Sequence, residues 1–472
     1  MHQVPTPTVR SPGAAPTLPI EELADAGRLF LDLYADRDFL GEELLRVVGD
    51  GDGEEKLGRL LAAAGHPGDP EGFFRVVAQA LHSEADGSGA PIAVNGLVLP
   101  YHLLLEWMEL LEPGERVVDV HSVRRLERLT NRRVPAAERE AMAEVLQRYP
   151  VRLSSHTVRQ MRLSSQVSHQ YMPFADELSE DGEVHTWVGQ FHRGIVEQMY
   201  RNRVIFVLNM TCPVYCRFCF RKHKECRQQR PPTQAHVKQA VAYVRSSPDI
   251  TEVVLTGGDP FMNRATLTLA VDGLRDVPHV DVLRLATRSI SYHPELFLQR
   301  DSFWLDYLKR KQVELQHKGK RLEVATHFIH PDEVSVKSLR IIADLVSEGV
   351  PVYVQTPFVG GCNESGHELV ELYRRLRGAG AEIHYIFMPC SPIQGNRTYA
   401  TTVAEGLRAA RVLRAHGSDR AMPHICTATA IGKMEWGSSG WAVEVDSDDP
   451  RHLWLRTPYT PEYFKAFAPL AN

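Results

Sequence analysis

Between residues 204 and 388 six short runs rich in β-branched and aromatic residues recur at fairly even spacing: Val204–Asn209, Glu252–Thr256, Val282–Thr287, Leu322–Thr326, Val352–Thr356 and Glu382–Met388. Amphipathic segments separate them, among them His236–Arg245, Val334–Glu348 and Leu369–Arg377. Parallel strands need crossover connections, and a helix is the usual crossover, so this alternation predicts βα units and a parallel sheet. Six such units give an α/β fold of the TIM type, a partial (β/α)6 barrel open on one side. A doubly wound open sheet would show the same alternation.

The chain has 472 residues, enough by length for about three domains or for one barrel with extensions. Residues 1–19, rich in Pro, Thr and Ala, read as a flexible tail, and residues 20–150 as a helical region. There Leu23, Gly27, Phe30, Leu31 and Tyr34 recur at helical steps, and the apolar run Leu103–Leu111 stops at Pro113-Gly114. Residues 151–199 read as a connecting segment, 200–400 as the barrel core and 401–472 as a carboxyl-terminal extension. The formal charge of -5 calls for no nucleic-acid or membrane partner. Arg124, Arg125, Arg128, Arg132 and Arg133, interleaved with Glu127, read as a solvated helix face. No apolar run approaches the ~18 residues of a spanning helix, and the amino terminus lacks the basic start and apolar block of a secretory signal. With seven cysteines in no disulfide-type spacing, the expected compartment is cytoplasmic.

Each run leads into a distinctive turn. The first is followed by Cys212-Pro213-Val214-Tyr215-Cys216-Arg217-Phe218-Cys219 and the second by Gly257-Gly258-Asp259-Pro260. Then come Thr287-Arg288-Ser289, Thr326-His327-Phe328-Ile329-His330-Pro331, Gln355-Thr356-Pro357 and Met388-Pro389-Cys390-Ser391-Pro392. Barrel chemistry sits on the loops at the carboxyl ends of strands, so six such turns on one rim mark a site. Thiolates spaced C-x3-C-x2-C on one loop can bind three irons of a cubane and leave the fourth iron open. An open position lets a metal centre act on a ligand, as at catalytic zinc. A structural zinc site would need a fourth ligand, for which His223 and Cys226 are the nearest candidates. Pro213, Tyr215 and Phe218 offer the cluster apolar cover.

This cysteine loop, followed one strand later by the glycine turn, resembles the motif of the radical S-adenosylmethionine (SAM) superfamily. The resemblance implies a 4Fe-4S cluster on Cys212, Cys216 and Cys219 whose open iron binds SAM. One electron then cleaves SAM and yields a 5'-deoxyadenosyl radical. It also implies SAM contacts from Gly257, Gly258, Asp259 and Pro260, with His327 and Gln355 close by. From about Gly194 to Lys433 the wording is closer still. Tyr200–Phe206, Cys216–His223 and Thr326–Glu333 resemble the lysine 2,3-aminomutase family. There pyridoxal 5'-phosphate (PLP) is held on a lysine, and a substrate radical lets nitrogen migrate between neighbouring carbons. The resemblance places that catalytic lysine at Lys433, the tyrosine packed on the PLP ring at Tyr200 and an arginine for its phosphate at Arg203. Arg221 matches the arginine that pairs with the substrate α-carboxylate.

The chain departs from the family at several of these points. The glycine-rich turn before the PLP lysine is reduced to Gly432. Met199 stands in place of a second phosphate arginine, with Arg201 near it, and Met388 in place of a tyrosine. Ser391 and Cys426 fall where lysine-specific members carry two aspartates around the distal ammonium; Glu435 lies near Lys433. The expected function is a radical SAM isomerase, a PLP-dependent 2,3-aminomutase acting on an α-amino acid other than lysine. A PLP-independent deaminase, dehydratase or epimerase, and a lysine-modifying enzyme acting on a translation factor, are the enzymatic alternatives; an iron–sulfur redox module is the non-enzymatic one. Expected partners are a small-molecule amino acid and a reductase or flavodoxin-type electron donor, and a homo-oligomer is compatible with the sequence.

Overall fold

Alternate residues of the expected strands are buried on one side: Val204 and Phe206, Val253 and Leu255, Leu283 and Leu285, Leu322 and Val324, Val352 and Val354. That period of two fixes which face of each strand meets the helices. The computed structural model describes residues 20–34, 37–83, 92–111, 117–178, 192–219, 221, 231–298, 303–388, 397–429, 432–436, 442–449 and 451–456. Ten strands make one sheet: β1 (His192–Arg193), β2 (Val196–Tyr200), β3 (Arg203–Val207), β4 (Glu252–Thr256), β5 (Val282–Thr287), β6 (Arg321–His327), β7 (Val352–Pro357), β8 (Glu382–Met388), β9 (His424–Thr429) and β10 (Gly432–Glu435). They follow one another across the sheet in chain order. A doubly wound sheet would reverse its order at a switch point, so the sequential order selects the barrel type. Neighbours from β3 to β9 pair in parallel, and antiparallel hairpins flank them at both ends.

Among the described residues one long helix crosses between each pair of neighbouring parallel strands: α1 (Gln234–Arg245), α2 (Arg264–Arg275), α3 (Phe303–Gln316), α4 (Val336–Ser347), α5 (His367–Gly378) and α6 (Val403–His416). Each lays one stripe on the sheet, such as Val237, Ala240, Val241 and Val244 of α1 or Leu369, Leu372, Tyr373 and Leu376 of α5. Residues at three- and four-residue steps share a helix face, and each fully buried Leu or Val contributes ~1.5–3 kcal/mol. Thr233, Asn263, Ser335 and Thr402 cap α1, α2, α4 and α6 by accepting a backbone N–H.

The six expected strands are present, and a seventh parallel strand, β9, joins them. Its sequence, His-Ile-Cys-Thr-Ala-Thr, lacks a clean alternation, so pairing with β8 makes it a strand more than its own pattern does. On the inner face the amino-terminal half of the sheet carries ions. Glu252 lies between Arg203 (3.8 Å) and Arg284 (2.9 Å), and Glu323 between Arg284 (3.0 Å) and Arg321 (3.3 Å). Among the described residues the two ends of the sheet share no ladder, yet the Lys433 N–H on β10 donates to the Tyr200 hydroxyl on β2 at 2.8 Å. One side-chain bond thus bridges the seam of the open barrel.

The described residues divide into two compact units, one of residues up to 114 with 131–133 and one of the remainder. In the first, Phe73, Phe74 and Trp107 meet edge to face in a helical core. The region expected to be helical throughout also contains a hairpin, Ile92–Val94 with Leu97–Leu99. Its turn, Asn95-Gly96, has φ of 49° and 84°, a conformation that asparagine and glycine tolerate best. In the second unit, strands Val117–Val120 and Val151–Ser154 pair antiparallel beside the cysteine loop.

Candidate active site

The cysteine loop leaves β3 at Leu208 and is pinned at once. Asn209 accepts the Gly258 N–H on its carbonyl (2.8 Å) and the Thr211 N–H on its side chain (2.7 Å), and its amide donates to the Asp259 carbonyl. The Asp259 N–H donates in turn to the Thr211 carbonyl at 2.9 Å. The glycine turn lies against this backbone. A Cβ on Gly257 would sit 2.4 Å from the Asn209 oxygen, and one on Gly258 2.5 Å from the Thr211 oxygen. The two glycines therefore answer first to the cysteine loop, which only a residue without a side chain lets approach.

Farther along, Tyr215 and Arg217 donate their N–H groups to the carbonyls of Arg152 and Gln170. The Arg217 guanidinium, wholly buried, grips Glu177 with Nε (3.0 Å) and Nη2 (2.5 Å) and donates to the Pro150 carbonyl (3.1 Å). Removing one member of such a pair leaves a buried charge alone, at a cost of ~3–5 kcal/mol. Glu177→Ala should therefore lower the apparent stability of the apo-protein by that order in urea titration, and a change below ~1 kcal/mol would contradict the buried pair.

A second support comes from β5. Oδ2 of Asp259, itself buried, accepts from the Thr287 hydroxyl (2.7 Å), the Ser289 hydroxyl (2.8 Å), the N–H groups of Arg288 (3.1 Å) and Ser289 (3.2 Å), and the Tyr292 hydroxyl (3.2 Å). Its carboxylate thus faces the protein and ties the β5 turn to the cysteine loop. From that turn Arg288 reaches Cys216, with Nη1 2.7 Å from Sγ, while Nη2 meets Gln170 and Glu333. Burial pushes the Cys216 thiol up, and the Arg288 charge opposes that by favouring the thiolate.

Cys212, Cys216 and Cys219 lie on this loop without a disulfide, each partly buried. Among the described residues no three His, Cys, Asp or Glu side chains converge as around a single ion. A cubane does not require that, because each thiolate binds a different iron. Nε of Arg288 is buried and has no protein partner, an orphan donor of the kind a sulfide-rich group satisfies. On these two observations the loop fits a 4Fe-4S cluster.

His327 and Gln355, expected near SAM, meet at 3.2 Å on adjacent strands, and Gln355 continues to His384 at 3.4 Å. Burial lowers both histidines to about 4, with Arg288 as the next cause at His327 and Arg284 at His384, so both rings are neutral near pH 7. The three candidate PLP residues also come together. Besides the Lys433–Tyr200 bond, the Arg203 guanidinium lies 4.5 Å from the Tyr200 ring centre, and Lys433 Nζ lies 3.8 Å from that of Tyr385. Arg201 is held elsewhere, by Asp249 at 2.9 Å.

The substrate candidates are less open. Arg221 is engaged in a fork with Glu197, at 3.1 and 3.0 Å, both side chains nearly buried. Cys426 is buried opposite Glu435 on β10, and burial pushes its thiol up to about 11, so it faces the site uncharged. Glu435 pairs with His424. Ser391, like His223 and Cys226, lies outside the described residues. Sequence reasoning quoted Arg288 and Glu333 within their turns but gave them no role, and it missed Glu197. The signal for Arg288 was a lone arginine on the rim beside the glycine turn.

A barrel with a cysteine loop after its first parallel strand and a glycine turn after the second is the architecture of the radical SAM class. Residues 207–376 match the radical SAM superfamily. The chain is also similar to proteins named as lysine and glutamate 2,3-aminomutases. A protein of Aquifex aeolicus (strain VF5), provisionally named an L-lysine 2,3-aminomutase, is 29% identical over 259 residues, which is 55% of this chain and 65% of that one. The L-lysine 2,3-aminomutase of Bacillus subtilis (strain 168) is 30% identical over 277 residues, 58% of this chain and 54% of that one. The glutamate 2,3-aminomutase of Clostridioides difficile (strain 630) is 27% identical over 231 residues, 49% of this chain and 52% of that one. The matches thus span about half to two thirds of these relatives' lengths. Among the described residues no helix is long and apolar enough to cross a membrane.

Proposed function

We propose that the protein is a radical SAM isomerase, a PLP-dependent 2,3-aminomutase acting on an α-amino acid other than lysine. The observation that carries this reading is the meeting of Lys433, Tyr200 and Arg203 at the barrel seam, on the sheet whose first rim loop bears Cys212, Cys216 and Cys219. When bound, the cluster and SAM supply the radical that takes a substrate hydrogen, and PLP supplies the group that carries the nitrogen. The protein's part is to bind and orient. Gly257-Gly258-Asp259-Pro260 shapes the rim against the cluster loop, and His327 and Gln355 offer neutral hydrogen bonds beside it. Arg203 provides a permanent charge for a phosphate. Arg221 receives a substrate carboxylate by exchanging it for Glu197, a carboxylate of the same geometry. Cys426 and Ser391 are assigned to the side-chain pocket. The electron comes from a reductase or flavodoxin-type donor.

The test is the cofactor content of protein purified and reconstituted without oxygen, read as iron, sulfide and PLP together. Borohydride should fix PLP covalently to Lys433, located by peptide mapping. Lys433→Ala should lose PLP yet still release 5'-deoxyadenosine from SAM under dithionite. Wild-type protein that loads iron and cleaves SAM but takes up no PLP would replace this reading by the PLP-independent deaminase, dehydratase or epimerase.

A further inference from the structure

We propose that Arg288 is a positioning residue that sets the reduction potential of the cluster, by holding a charged hydrogen bond on the Cys216 sulfur. The inference rests on reading Cys212, Cys216 and Cys219 as cluster ligands. Three features distinguish this arginine from an ordinary buried ion pair. Its backbone N–H is fixed by Asp259 at 3.1 Å, so the residue is anchored at its root by the same carboxylate that ties down the glycine turn. Its head is anchored by Glu333, whose Oε1 lies 2.5 Å from Nη2. The other Glu333 oxygen accepts the N–H groups of Ile329 (2.6 Å) and His330 (3.0 Å), so the anchor itself belongs to the turn after β6.

The third feature is direction. With Nη2 turned to Glu333 and Gln170, Nη1 points at Cys216 Sγ from 2.7 Å. The rings of Phe218, Tyr171 and Tyr292 stand 5.1, 5.3 and 5.8 Å from the guanidinium carbon and keep water from it. A charge enclosed in this way is poorly screened, and it cannot swing out to solvent. Reducing the cluster adds one negative charge, which a fixed cation and a hydrogen bond to a ligand sulfur favour. Arg288 therefore makes the cluster easier to reduce.

The experiment is a dye-mediated redox titration of reconstituted protein, followed by electron paramagnetic resonance with no SAM present. Arg288→Met should keep about four irons per chain but shift the one-electron equilibrium toward the oxidised cluster at least tenfold, or about 59 mV. Arg288→Lys, which restores the charge, should recover part of that shift, and Arg288→Gln less. If Arg288→Met does not load iron, the order wild type, Lys, Gln carries the test. Loaded variants with the wild-type potential, or a Lys variant no closer to wild type than Gln, overturn the role of Arg288. Wild-type protein that loads no four-iron cluster instead defeats the reading of the three cysteines, and the inference with it.

Discussion

Alanine at Cys212, Cys216 or Cys219 should reduce the release of 5'-deoxyadenosine from SAM to background. As proposed ligands, each cysteine would be the sole protein ligand of one iron, and the nearest described thiol, Cys362, offers no replacement. The sulfur of Cys362, packed behind the loop with Phe218 and Tyr399, is buried and donates to the Gln166 carbonyl, and burial keeps it a neutral thiol. A protonated, enclosed thiol is a poor substitute for a thiolate ligand. Cys226→Ala should retain cleavage, which separates loss of a ligand from general sensitivity of the loop. Iron content and chromatographic assay of 5'-deoxyadenosine check both statements. Cleavage surviving in all three alanine variants would overturn the cluster assignment.

Free lysine should be a poor substrate. A dedicated pocket must pair the distal ammonium, and leaving a buried charge unpaired costs ~3–5 kcal/mol. At ~1.4 kcal/mol per decade, lysine should fall on the order of a hundred- to a thousandfold below the preferred amino acid in kcat/KM. Cys426 is buried and its thiol is held neutral, so it supplies no counter-charge. Glu435, the nearby acid, already pairs with His424. Anaerobic turnover of a panel of amino acids, with β-amino products resolved by mass spectrometry, is the measurement. Lysine emerging as the best substrate would reverse this prediction and point to Glu435 released from His424.

The strands were legible because their faces obey one rule. Glu252–Thr256, Val282–Thr287 and Glu382–Met388 coincide with the observed elements residue for residue. In the first two, alternate apolar residues face the helices, and no tertiary information is needed to see it; in the third a bulge against β7 shifts the alternation. β9 was not legible, since it becomes a strand by lying beside β8. The Asn95-Gly96 hairpin was legible in principle, because that dipeptide between apolar triplets is a strong turn signal. In the site, spacing along one loop revealed the cysteines. Partners distant in sequence could not be read so. Glu197 lies 24 residues from Arg221, and Glu333 lies 45 from Arg288, with no periodicity to connect them. A resemblance names which arginine to inspect, but the carboxylate that occupies it is a property of the folded chain.

The bond across the barrel seam has a consequence for how the molecule is made. Lys433 and Tyr200 are separated by 233 residues, one of the most distant pairings in the fold. Contacts of such separation form late, after the loop between them has been closed by everything else. Chains tend to fold from the amino terminus as they are synthesised, so on the ribosome the cysteine loop can meet Asp259, Arg288 and Glu333 before β10 exists. The two candidate sites would therefore mature on different clocks. A nascent chain could settle its cysteine loop while the pocket around Tyr200 still stood open, and the late hairpin of β9 and β10 would act as the closing stave.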